Sequence, residues 1–74
     1  MVEKRLTAVI QREDQMYVAL CPEVDVASQG NTIEAARENL IEALELFFEA
    51  ADPEEITRRL REEPFITTVM VAVG

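Results

Sequence analysis

From Ile33 to Ala51 apolar residues return at helical spacing: Ile33, Ala36, Leu40, Ala43, Leu44, Phe47 and Ala51 share one face at about 100° per residue. Such a face must be covered, and a chain of 74 residues can offer only one small sheet to cover it. One domain over residues 1–74 is therefore expected. A domain of this size buries only roughly 60% of the surface its unfolded chain exposes, so its core is thin. The single cysteine, Cys21, cannot form an intrachain bridge, which leaves association as one route to further stability. Hydrophobic residues at 49% exclude a disordered chain.

The sheet is legible on either side of the helix. Residues 5–12 alternate Leu6, Ala8 and Ile10 against Thr7, Val9 and Gln11, the period of a strand. The polar cluster Arg12-Glu13-Asp14-Gln15 makes a turn into a second strand over 16–21, ended by Pro22, which has no N–H to give a ladder. Residues 24–29 predict a third strand, with Gly30 closing it at a sharp turn. Asn31 followed by Glu34 has the spacing of a capping box at the start of the long helix, with Thr32 as the alternative cap. Asp52 and Pro53 open a short second helix running to about Glu62, with Ile56 and Leu60 on its inner side, and Pro64 prevents its continuation. Residues 65–73 are rich in β-branched side chains and predict a last strand returning to the sheet, apolar on both faces. The expected fold class is α+β in the order βββααβ, with both helices on one face of the sheet.

Charge narrows the function. Fifteen acidic residues against seven basic ones give a net charge of −8, a balance that repels nucleic acid and suits solubility or a basic protein partner. Glu34, Glu38, Glu42, Glu45 and Glu49 gather on an arc of the long helix roughly 80° wide. The lead Met1-Val2-Glu3-Lys4-Arg5 is charged and runs into no apolar stretch long enough for a signal peptide or membrane span. With a lone cysteine, this predicts a cytoplasmic protein that does not engage membranes.

Residues 17–24, Tyr-Val-Ala-Leu-Cys-Pro-Glu-Val, precede Ser28-Gln29-Gly30-Asn31-Thr32-Ile33-Glu34-Ala35-Ala36 and Asn39-Leu40-Ile41-Glu42-Ala43. These segments, in register over residues 17–43, resemble the HicB-like antitoxin family. That signature runs from a strand through a Cys-Pro-Glu-like turn and a Gly-Asp-Thr-like helix start into an Asn-x-x-Glu-Ala helix. Asn31 stands where the family more often has Asp, which preserves capping ability. The resemblance implies a partial ribonuclease-H-like fold without that enzyme's activity. It also implies neutralisation of a small basic ribonuclease toxin, HicA-like in kind. Many members add a helix-turn-helix or ribbon-helix-helix domain; this sequence stops at Gly74, so autoregulation by the chain alone is not expected.

Each candidate residue carries two readings. The acidic stripe can complement a basic toxin, or be a solvated helix face. Tyr17 is either an interface anchor or a ring packed on the sheet. Pro22, Glu23, Gly30, Asn31 and Thr32 carry the family pattern, with turn and cap chemistry as their explanation. Cys21 is read as a small buried hydrophobe, since a chain without histidine offers it no base, and a zinc site lacks ligands. Glu13, Asp14, Glu23 and Asp25 fall in turns or strand ends, not at a strand centre where a two-metal nuclease would want a carboxylate. Arg58, Arg59 and Arg61 are expected to pair locally with neighbouring glutamates.

The sequence thus predicts a non-enzymatic antitoxin-type protein without cofactor, acting through the acidic helix, the uncovered sheet face, or both. It is expected as a homodimer or higher oligomer, because the apolar strand at 65–73 would otherwise leave a patch. An orphan self-associating domain without a toxin is the second hypothesis, and a metal-dependent nuclease the third.

Overall fold

The computed structural model describes residues 3–74; Met1 and Val2, the start of the charged lead, lie outside the described residues. Three strands form an antiparallel meander in the order β1-β2-β3, with β1 at Val9–Glu13, β2 at Met16–Cys21 and β3 at Val26–Gly30. Helix α1 spans Ile33–Ala50 and α2 spans Pro53–Arg61. The α+β class and the order of these five elements match the sequence reading.

The strand bounds are tighter at the start than the alternation suggests. The register sets Val9 opposite Leu20 and Cys21 opposite Val26. Pairing with β2 stops at Val9, although Cys21 of β2 stands opposite Ala8 in the register; beyond it β2 turns at Pro22, and residues 5–8 lie outside β1. Val24 likewise leaves the third strand and sits in the turn over 22–25, where its side chain is buried and plugs the core. Asp14 and Asp25, both at φ 56°, take the left-handed backbone that the two turns require, a conformation short polar side chains tolerate.

Alternation along β2 sends Tyr17, Ala19 and Cys21 towards α1, beside Ile10 of β1 and Val26 of β3. Ala19, Cys21, Val24, Ala36 and Leu40 are the buried core, bordered by half-buried Leu44, Phe47, Phe48 and Leu60. Phe47 and Phe48 meet edge to face with ring centroids 5.4 Å apart. On the opposite side of the sheet Val9, Leu20 and Ala27 form one cross-strand row and Val18 stands between Gln11 and Gln29 in the next. Among the described residues no helix covers that side.

Two expectations at the start of α1 are corrected. Thr32, not Asn31, is the N-cap: its Oγ1 accepts from the Ala35 N–H at 3.0 Å, leaving Asn31 exposed and no Glu at the reciprocal position of a capping box. At Gly30 the absence of a Cβ is useful, as the sequence suggests, and the reason is close packing of the helix start. A Cβ there would lie 2.5 Å from the Ala36 backbone nitrogen and 2.7 Å from the Ala35 carbonyl carbon. Ile33, assigned to the apolar face, is 49% exposed because it lies in the first turn, beyond the edge of the sheet. At α2 the reading holds: Asp52 Oδ1 accepts from the Glu54 N–H at 2.9 Å and Pro53 occupies the first turn.

The largest correction lies at the C-terminal end. No strand forms over 65–73; residues 63–74 carry neither helix nor strand, and all of them are exposed. A strand apolar on both faces needs a cover on each side, and this monomer has one helical layer only. Phe65, Ile66, Val69, Met70, Val71 and Val73 stand 55–100% exposed. At about 1.5–3 kcal/mol for each such side chain, their burial is an unrealised gain on the order of 10 kcal/mol. That rivals the net stability of a typical domain, about 5–15 kcal/mol.

Gly30→Ala should destabilise the domain by about 1–3 kcal/mol, because the added methyl meets backbone that cannot move aside as a side chain can. Urea midpoints of the two proteins measure this; an unchanged midpoint would refute the close-approach account.

Candidate partner-binding surface

Helix α1 presents its glutamates to solvent. Ala36, Leu40, Ala43 and Phe47 point to the sheet, and Glu34, Glu38, Glu42, Glu45 and Glu49 occupy the opposite arc, all of them exposed. The stripe has little internal compensation. Glu38 pairs with its neighbour Arg37 at 3.2 Å, and both side chains are largely exposed, so the pair contributes little. Consecutive members of the stripe are spaced three or four residues apart, where like charges repel by a few tenths of a kcal/mol per pair. Glu34 in the first turn is favoured by the helix dipole, whereas Glu49 near the last turn opposes it, and the last turn carries no basic residue. The arrangement works against the isolated helix and suits a cationic surface laid along it.

Tyr17, the other candidate contact, is half-buried and packs against the core on the α1 side of the sheet. It therefore lies on a different surface from the glutamates, which face away from the sheet.

The motif residues have structural duties that can be stated atom by atom. Glu23 acts as a clamp: Oε2 accepts from the Thr7 amide at 2.9 Å and the Thr7 hydroxyl at 2.7 Å, while Oε1 accepts from the Cys21 Sγ–H at 3.4 Å. The carboxylate thus ties the lead into β1 to the turn after β2. Desolvation alone would push the Glu23 carboxyl up, but the Thr7 hydroxyl, backbone amides and the thiol outweigh it and hold the group below its ordinary range. Burial, supported by the neighbouring Glu23 charge and hydrogen bond, raises the Cys21 thiol despite backbone donors that act the other way. A buried thiol with a raised pKa is a core group, as its residue type and neighbours suggested.

Arg59 and Asn39 escaped the sequence reading as connectors. Arg59 donates to the Val24 carbonyl oxygen, pairs with Glu55 at 3.0 Å and lies over the Phe47 ring at 5.5 Å, fastening α2 to the turn and to α1. Local pairing with a glutamate was legible from the i,i+4 spacing; the long-range contacts were not. Asn39 Nδ2 donates to the Gln29 carbonyl oxygen at 2.7 Å, satisfying an edge acceptor of β3. Arg58 and Arg61 line a shallow, open depression with Pro53, Glu54 and Thr57. Among the described residues no three His, Cys, Asp or Glu side chains come together as metal ligands, and no helix is long and apolar enough to cross a membrane. Comparison of the chain with protein-family profiles, curated proteins and solved structures yields no match.

Glu42→Lys converts two repulsive contacts, with Glu38 and Glu45, into attractive ones. It should stabilise the isolated domain by about 1 kcal/mol at low salt, and less at high salt. A thermal melt at two ionic strengths checks both the sign and the screening. Glu23→Gln should cost on the order of 1 kcal/mol at pH 7 through weakened charge-assisted bonds to Thr7. Because the folded-state pKa is lowered, the wild-type advantage is fully present above the unfolded carboxylate value, about 4.3. It is lost as pH falls through the folded value, so denaturation midpoints of the two proteins should converge in acid. A difference that persists there would rule out the charged clamp.

Proposed function

We infer that the chain is an antitoxin-type inhibitor that binds a small basic ribonuclease toxin, HicA-like in kind, and occludes its RNA site. The observation that carries this reading is the exposed, poorly compensated stripe of Glu34, Glu38, Glu42, Glu45 and Glu49 on the outer face of α1. Two further features support it. A net charge of −8 favours encounter with a basic partner, and the motif run over residues 17–43 resembles the HicB-like antitoxins. On this reading the domain is non-enzymatic, needs no cofactor, works in the cytoplasm and makes no contact with nucleic acid itself. Tyr17, half-buried on the α1 side of the sheet, would contribute only if the toxin also reaches the seam between helix and sheet.

A second reading, an orphan domain that only self-associates, is favoured by a different observation, the bare apolar segment over 65–73. The neighbouring reading frame separates the two, since the first reading calls for a short basic protein encoded there.

Affinity capture of the tagged chain from its native cells should recover a stoichiometric small basic protein whose RNA cleavage stops when the chain is added. Reversing Glu38, Glu42 and Glu45 to Lys should weaken that association at least about 10-fold, mainly through a slower, less salt-dependent association rate. Capture of the chain alone, from cells expressing the adjacent frames, would leave the orphan reading standing.

A further inference from the structure

We propose that residues 65–73 are an exchanged strand: in a homodimer each copy lays this segment along the open β1 edge of the other. Four observations lead there. The first is area. The monomer exposes 6373 Å², whereas a compact protein of 8.4 kDa exposes about 4,600 Å². The excess is more than the roughly 800 Å² that each partner of a standard-size interface buries. Summed over two copies it falls in the range of obligate homodimers, about 2,000–5,000 Å².

The second is shape. The radius of gyration is 14.3 Å, against about 11 Å for a compact chain of this length. Between Pro64 and the terminal Gly74 no residue favours a reversal, and Ile66, Thr67, Thr68, Val69, Val71 and Val73 are β-branched and stiff. Nothing in the segment favours a bend back onto its own sheet, and its backbone makes no backbone–backbone hydrogen bond among the described residues, so its ladder groups can pair with another chain.

The third is charge. Two copies of net charge −8 repel, yet residues 64–74 form the longest uncharged run in the chain. This is the segment that can enter a second acidic copy without setting carboxylate against carboxylate. A small basic toxin has no such need for a neutral, two-sided apolar strand.

The fourth is placement. Leu60, Glu63 and Pro64, at the root of the segment, line a depression with Lys4, Arg5 and Leu6, which lead into β1. The segment therefore departs on the β1 side of the sheet, where β1 has a neighbour on one side only. Reciprocal pairing there gives the two-fold, isologous contact of a closed dimer. It also brings the segment's α1-side face under the partner's helix layer while leaving the acidic arc of α1, which points away from the sheet, accessible to a further partner.

Sedimentation equilibrium of the full chain should give twice the 8.4 kDa mass, with amides of residues 65–73 and of β1 slow to exchange in the dimer. Both sets should lose protection together on dilution. The double variant Val69→Asp, Val71→Asp, placed where the monomer makes no packing contact, should keep the far-ultraviolet dichroism of the fold and weaken dimerisation at least about 100-fold. A Thr67→Ser variant serves as the control that leaves the dimer intact. A monomer with freely exchanging tail amides overturns the proposal. So does a dimer that survives the double variant, or one that protects the tail but not β1.

Discussion

The domain depends on how closely the first turn of α1 approaches the end of β3. With no side chain at Gly30, the backbone at Ala35 and Ala36 sits almost on the strand. From that contact the small residues Ala36, Ala19 and Cys21 follow, because there is no room between helix and sheet for anything larger. Leu40 and Val24 then fill the widening gap, and Asn39 reaches the Gln29 carbonyl to lock the approach. A core this thin gains its cohesion from proximity of backbones more than from bulk.

That arrangement fixes what the outer surfaces can be. One helix faces one side of a three-stranded sheet, so its far arc is free to carry charge, and the far side of the sheet is free to stay bare. The chain uses the two freedoms differently. Carboxylates collect on the helix without regard to the helix's own stability, and the sheet side keeps the Val9, Leu20 and Ala27 row.

Periodicity made most of the fold legible. The switch from a period of two to 3.6 located the three strands and the long helix, and the Asp52–Pro53 pair located the second start. Its failures have distinct physical origins. Residues 5–8 alternate like a strand but are unpaired; for residues 5–7 the neighbour has already turned at Pro22, a fact about β2 and not about the segment itself. Asn31 and Thr32 offer nearly equal caps, and the choice of Thr32 follows from where the helix must start to meet the sheet. Residues 65–73 have every local mark of a strand, yet strand formation needs a ladder and two covering layers that one copy does not supply. The acidic stripe was fully readable from spacing. The Glu23 clamp and the reach of Arg59 to Val24 join residues 16 and 35 positions apart, distances at which sequence patterns carry no signal.

The turn over 22–25 gathers more than its length suggests. Glu23 holds Thr7 in the lead into β1, and the carbonyl of Val24 holds Arg59 of α2, so the segments before β1 and after α1 are both tied to one short turn. α2 is the mount from which the final segment departs, and its orientation is set by that mooring. The turn thus helps aim the last eleven residues, 64–74, from 40 positions away: the Val24 carbonyl, with Leu60 on the core and Arg59 over Phe47, holds the helix from which they depart.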